Sequence, residues 1–233
     1  MDAIWAIPIS AAGIAFVHTV LGVDHTLPFV ALSRARGWTR HKTLWITAIC
    51  GIGHVLASVS LGLIGIALGW GLGRMDDVET SRGPIAAWVL TAFGATYLLW
   101  GLRQGWRRSR GVHLHKHGGT LHLHLKGDQP HRHHVASGES KSTFWVLFTI
   151  FVLGPCEPLI PLFIVPASQG EWAIALIAAT AFGVVTVVTM IVVVAAAVQG
   201  IRHIRMAPLE KWAEAIAGGV VAVSGLAVLY LGV

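Results

Sequence analysis

The sequence predicts an all-α membrane protein: six transmembrane helices arranged as an inverted 3+3 repeat, with helices 1 and 4 broken and a His-rich cytoplasmic loop between the halves. Three observations lead to this class. The 233 residues are 55% hydrophobic and 12% charged, with a mean hydropathy of +0.68, which is too little charge to cover a soluble domain of this size. Basic and acidic loops alternate along the chain. Residues 20–28 and 152–161 also repeat each other, Val-Leu-Gly-Val-Asp-His-Thr-Leu-Pro against Val-Leu-Gly-Pro-Cys-Glu-Pro-Leu-Ile-Pro.

Apolar runs long enough to cross a bilayer fall at about 8–31, 43–69, 84–102, 143–167, 172–199 and 212–232. They divide the chain into a first three-helix repeat (1–102), a loop (103–142) and a second three-helix repeat (143–233). The 34–42 loop carries Arg34, Arg36, Arg40 and Lys42; the 103–142 loop has eight Lys or Arg residues against Asp128 and Glu139; the 202–211 loop has Arg202, Arg205 and Lys211 against Glu210. In the 74–82 loop, Arg74 and Arg82 face Asp76, Asp77 and Glu79, and the 168–171 turn has only Glu171. Basic loops face the cytoplasm, so both termini are expected outside, in the cytoplasmic (inner) membrane of a bacterium or archaeon. Met1-Asp2-Ala3 lacks the basic start of a secretory signal, so none is expected. The net charge of +6 then follows from topology, and no nucleic-acid partner is expected. Trp5, Trp38, Trp45, Trp70, Trp106, Trp145, Trp172 and Trp212 sit near span ends, as an interfacial belt would.

The two Val-Leu-Gly segments enter the membrane from opposite sides under this topology, which is how an inverted repeat builds a central site. Spans 2 and 5 also match loosely, in Ala48–Gly53 and Ala178–Gly183. Pro28 in span 1, and Pro155, Pro158 and Pro161 in span 4, remove backbone donors and are expected to break these helices. Irregular backbone survives at membrane depth only against protein or a water-filled cavity.

Six candidate ligands lie at the same depth: His18, Asp24, His25, His54, Cys156 and Glu157. An ionisable group buried in a bilayer costs several kcal/mol unless paired or facing a cavity. Imidazole, carboxylate and thiolate together suit late first-row ions such as Ni, Co or Zn, whereas an all-oxygen set would suggest Mg or Ca. Taken singly, His54 could bond a backbone carbonyl across helices. Cys50 reads as a small packing residue, and Cys156 as either a ligand or a small residue at the break.

The loop holds eight of the thirteen histidines. Residues 112–126 alternate strictly around Gly118-Gly119, a hairpin signal that pairs His115 with His122 and His113 with His124. His113, His115, His117, His122 and His124 would then form a metal-loading face, and a flexible His-rich tether is the alternative. Clustered neutral imidazoles bind late transition metals. A collector on the cytoplasmic side favours export.

His18, five residues, then Asp24-His25, with Gly53-His54 in the next span, resembles the nickel/cobalt transporter family and the related urease-accessory and sulfite-exporter-like membrane proteins of the lysine-exporter-type superfamily. Where this chain has five intervening residues, the family has four. The resemblance implies that His18, Asp24, His25 and His54 hold the metal. Its further implication is a secondary transporter, permease or exporter, of divalent Ni or Co, with Zn as a further substrate. Partners would be the transported ion, the lipid bilayer and a cytoplasmic metal chaperone.

Two other functions compete with this expectation. One is a thiol–disulfide electron-carrying membrane protein using Cys50 and Cys156. In the repeat alignment, however, Cys156 faces Asp24 and Cys50 faces Thr180, so the cysteines do not occupy matched positions. The other is a sulfite-type anion exporter, disfavoured because no Lys or Arg falls within the expected spans. No Walker loop, His-Glu-x-x-His or Gly-x-Ser-x-Gly occurs, so no enzyme is expected. Gly62, Gly65 and Gly69, with Gly218, Gly219 and Gly225, permit close helix contact within a subunit or in a homo-oligomer.

Overall fold

The computed structural model describes residues 5–70, 72–109, 113–117, 120–124, 137–154, 156, 158–202 and 212–231. Helix α1 (Ala6–Leu21) stops at Gly22, whose N–H donates to the His18 carbonyl at 2.8 Å. A 3-10 turn at Val23–His25 follows, and α2 (Leu27–Ala35) sets off at 78° to α1. The first break therefore falls at Asp24-His25. Pro28 does not cause it, contrary to expectation. This proline stands in the first turn of α2, where a helix has no use for its missing N–H.

Helix α3 (Arg40–Ala67) starts at Thr39, whose hydroxyl accepts from the Lys42 N–H at 3.2 Å, an ordinary N-cap. Helix α4 (Leu72–Ser109) is 38 residues long and contains Pro84. It absorbs the 74–82 segment that hydropathy marks as a loop. Fully buried Met75 packs its sulfur into the space above Gly65 of α3, an anchor for the charged first turns. Strands β1 (His113–His117) and β2 (Thr120–His124) form an antiparallel hairpin. His113 pairs with His124 and His115 with His122, the register that the alternation around Gly118-Gly119 predicts. Helix α5 (Ser137–Leu153) ends at Gly154, and α6 (Leu159–Ser168) begins after Pro158, with the Leu159 N–H donating to the Cys156 carbonyl at 3.0 Å. Pro155 lies outside the described residues. Helices α7 (Trp172–Arg202) and α8 (Ala213–Leu231) complete the chain.

The first expected span is broken into α1 and α2, and the apolar helices α5 and α6 flank the second break. Among the described residues four helices, α3, α4, α7 and α8, are long and apolar enough to cross a membrane, and a fifth span results if α1 and α2 are one bent crossing. The apolar stretches Thr143–Leu153 and Leu159–Ser168 are shorter. At 1.5 Å per residue, each falls short of a ~30 Å hydrocarbon core.

The closest packing is between α4 and α8. A side chain on Gly94 would strike the backbone of Ala222; on Gly101, that of Ala215; and on Gly218, that of Leu98. Small residues let two backbones touch in this way in membranes. Of the glycines singled out for close contact, Gly62, Gly65, Gly218 and Gly225 serve it within the subunit, whereas nothing approaches Gly69. Helix α1 packs on α7, α3 on both α7 and α5, and α2 on α8. Two apolar clusters result, one around Phe163 and Phe182, the other around Phe29, Leu147 and Met190. Trp5, Trp45, Trp106, Trp145 and Trp172 are exposed, as a lipid-facing belt requires. Trp38 is not part of it: it is buried in the second cluster, with its backbone N–H on the Ser33 carbonyl.

Candidate functional site

The two breaks and one face of α3 converge. Gly22 is the pivot of the first break. A Cβ there would stand 2.5 Å from His25 Nδ1 and 3.1 Å from Asp24 Oδ1, so only glycine lets the 3-10 turn fold back on α1. The turn presents Asp24 and His25 side by side, with Nδ1 of His25 2.8 Å from Oδ1 of Asp24. His25 is 2% exposed and Asp24 28%. A carboxylate can only accept, so His25 donates through Nδ1 and turns a lone pair on Nε2 inward.

His54 adopts the same posture from α3. Its Nδ1 donates to the Phe151 carbonyl at 2.9 Å, across 97 residues of sequence, so its Nε2 is also an acceptor. The backbone-carbonyl partner considered for His54 is therefore real, and it occupies only one of the two ring nitrogens. His18 reaches in from the last turn of α1. Its ring lies 4.9 Å from that of His25, and the His25 ring lies 5.2 Å from that of His54, both edge to face. The Nε2 atoms of His18, His25 and His54 are all buried without a protein partner.

Cys156, at the second break, is completely buried. One ligand atom each from His18, His54 and Cys156 lie within 4.8 Å of one another. A small cavity of about 20 Å³, lined among others by Asp24, His25, His54 and Leu90, is large enough for one water. The structure thus brings together His18, Asp24, His25, His54 and Cys156. Glu157 lies outside the described residues. So do the side chains of His113, His115, His117, His122 and His124, of which only the strand pairing is described.

Sequence reasoning missed Arg82. It was placed in an external loop, and its absence from the spans counted against an anion site. It stands instead within α4, and its guanidinium donates to the carbonyls of Val152 and Gly154 at 3.0 and 3.3 Å. A helix end is negative, so a cation over the last carbonyls of α5 holds the second break in place. The only local signal was a lone Arg two residues before Pro84.

Cys50 was read as a packing residue, and it is buried in the cluster of Phe29, Leu147 and Met190. It also lies one helical turn before His54 on α3, hence on the same face. Cys156 belongs to the other cluster. Neither cysteine is in a disulfide.

A multi-pass helical protein with a polar centre between two broken helices is a membrane protein built around an internal site. A family model described as the cytochrome C biogenesis protein transmembrane region matches residues 20–227. The chain belongs to that family. No curated protein and no solved structure matches it. The family match overturns the resemblance to nickel/cobalt transporters and, with it, transport of nickel or cobalt as the function. That resemblance rested on four short-motif residues, His18, Asp24, His25 and His54, whereas the family match extends over nearly the whole chain. It favours the thiol–disulfide alternative.

Proposed function

We propose that this protein carries reducing equivalents across a membrane by thiol–disulfide exchange, with Cys156 and Cys50 as its redox pair. The carrying observation is the family match over residues 20–227, taken with a buried thiol at a helix break. Attachment of haem to a c-type cytochrome uses the two thiols of a Cys-x-x-Cys-His motif, which must be kept reduced. A dithiol protein on one side would reduce the Cys50–Cys156 disulfide and leave as a disulfide. The two thiols would then reduce a disulfide protein on the other side. Each exchange passes two electrons and two protons through a mixed disulfide, so the balance closes without a further reactant.

The imidazole of His54, within 4.8 Å of Cys156, is placed to take the thiol proton and raise the thiolate fraction. The cysteines sit in different core clusters and are not joined, so closing the disulfide would bring Cys156 and α3 together. Broken half-helices related by an inverted repeat supply such a motion. In this arrangement α1/α2 corresponds to α5/α6, α3 to α7 and α4 to α8. Reciprocal packing of α1 on α7 and of α5 on α3 supports it. Basic loops on the cytoplasmic side remain the orientation that charge favours.

Proteoliposomes test the reading directly. A reduced dithiol protein outside should reduce a disulfide protein enclosed inside, and Cys50→Ser or Cys156→Ser should abolish the transfer. Undiminished transfer in the double variant would sink the proposal.

A further inference from the structure

We infer that His18, His25, His54 and Cys156 form a four-coordinate site for a resident zinc-type d10 cation. This is a bound ion, not a carried one. It concerns three imidazole Nε2 atoms, all buried and all without a protein partner, of which thiol exchange would use only that of His54. Orphaned acceptors at this depth are expensive, and no side chain of the described residues satisfies them.

The geometry is that of a metal site prepared from its outer shell inward. Metal-bound histidines characteristically donate their second nitrogen to a carboxylate or a backbone carbonyl, which fixes the ring and the tautomer. His25 does so to Asp24 at 2.8 Å and His54 to the Phe151 carbonyl at 2.9 Å. Both rings therefore keep Nε2 as an acceptor, and their centroids lie 5.2 Å apart. Donor atoms of His18, His54 and Cys156 already lie within 4.8 Å of one another, and the His25 ring lies 4.9 Å from that of His18 and 5.2 Å from that of His54. Inward movement of the rotamers, with His25 turning in as the fourth donor, would bring them to the 2.0–2.3 Å bond lengths typical of zinc.

Charge selects the ion. Binding replaces the Cys156 thiol proton, which is released to water, and leaves a thiolate. A divalent cation, that thiolate and the Asp24 carboxylate sum to zero, the only inexpensive total in an apolar interior. Hard Mg or Ca would not take three imidazoles and a sulfur. The consequence for Cys156 rests on the thiol-exchange reading: a coordinated thiolate is withheld from disulfide formation, so the ion would lock the carrier in its reduced state. The binding itself does not rest on that reading.

The test uses the full chain, reduced, in detergent or nanodiscs. One zinc per chain is expected, tight to micromolar or better, with one proton released. X-ray absorption should show one sulfur and three nitrogen scatterers, and zinc should slow maleimide labelling of Cys156 at least tenfold. Because absorption is measured on the unmodified protein, misfolding of variants cannot obscure it. His54→Ala and Cys156→Ser should each weaken binding at least a hundredfold, with helicity checked by circular dichroism. Cys50→Ser should bind zinc as the parent does while losing electron transfer, which separates failure of this site from failure of the redox reading. Sub-stoichiometric zinc, or a bound ion lacking a sulfur neighbour, overturns the inference.

Discussion

Replacing Gly22 by alanine is the sharpest probe of the first break. The new Cβ would lie 2.5 Å from His25 Nδ1, 3.0 Å from the His18 carbonyl oxygen and 3.1 Å from Asp24 Oδ1. Two of these neighbours make the bond that orients His25, and the third accepts the Gly22 N–H that ends α1. Relief requires His25 to leave Asp24, which forfeits a hydrogen bond to a charged group, about 1.5–3 kcal/mol. Residual crowding adds about 1–3 kcal/mol. A loss of roughly 2.5–6 kcal/mol follows, and at about 2–4 °C per kcal/mol for a chain of this length the melting temperature should drop by about 5–24 °C. Gly13→Ala in the middle of α1 is the control, since nothing lies within 4 Å of its added methyl. Alanine there should stabilise the helix by about 0.5–1 kcal/mol. Thermal unfolding of both variants in the same detergent, followed by circular dichroism, gives the comparison. Equal melting temperatures would show that the fold-back at Gly22 is not what the packing requires.

The other structural predictions concern the second break and the helix interface. Arg82→Ala removes both donors from the Val152 and Gly154 carbonyls and should cost about 1.5–3 kcal/mol. Backbone amides around 150–158 should exchange faster, Arg82→Lys should recover part of the protection, and unchanged exchange would remove Arg82 from the break. Gly94→Val forces α4 off the Ala222 backbone of α8 and should lower stability by several kcal/mol, read as loss of folded protein in a detergent melt. A variant as stable as the parent would contradict the close contact of α4 with α8.

Much of the candidate site was legible in the sequence because its residues violate a local rule. Asp24, His25, His54 and Cys156 stand out as polar or reactive groups in apolar runs, and the repeated Val-Leu-Gly marks both breaks. The position of the first break was legible, but its cause was misattributed to Pro28, because a proline reads the same in the first turn of a helix as in its middle. The extent of the third span was misjudged for a related reason. Hydropathy reports how apolar a segment is, not whether its helix continues, and α4 runs on through charged residues held by Met75. Function was misread because a short His/Asp-His motif is cheap, whereas the family match extends over most of the chain.

The sequence by itself determined the class: an apolar, all-helical membrane chain with polar residues at two matched interruptions, and with a histidine hairpin whose register follows from alternation. These are local properties, fixed by composition, period and turn residues. Only the tertiary structure decided what the polar residues face. His54 finds the Phe151 carbonyl across 97 positions and Arg82 the Val152 carbonyl across 70. Such partners are set by how α3 and α4 pack against α5. No local pattern encodes them, because each bond joins helices far apart in sequence that meet only in the packed bundle.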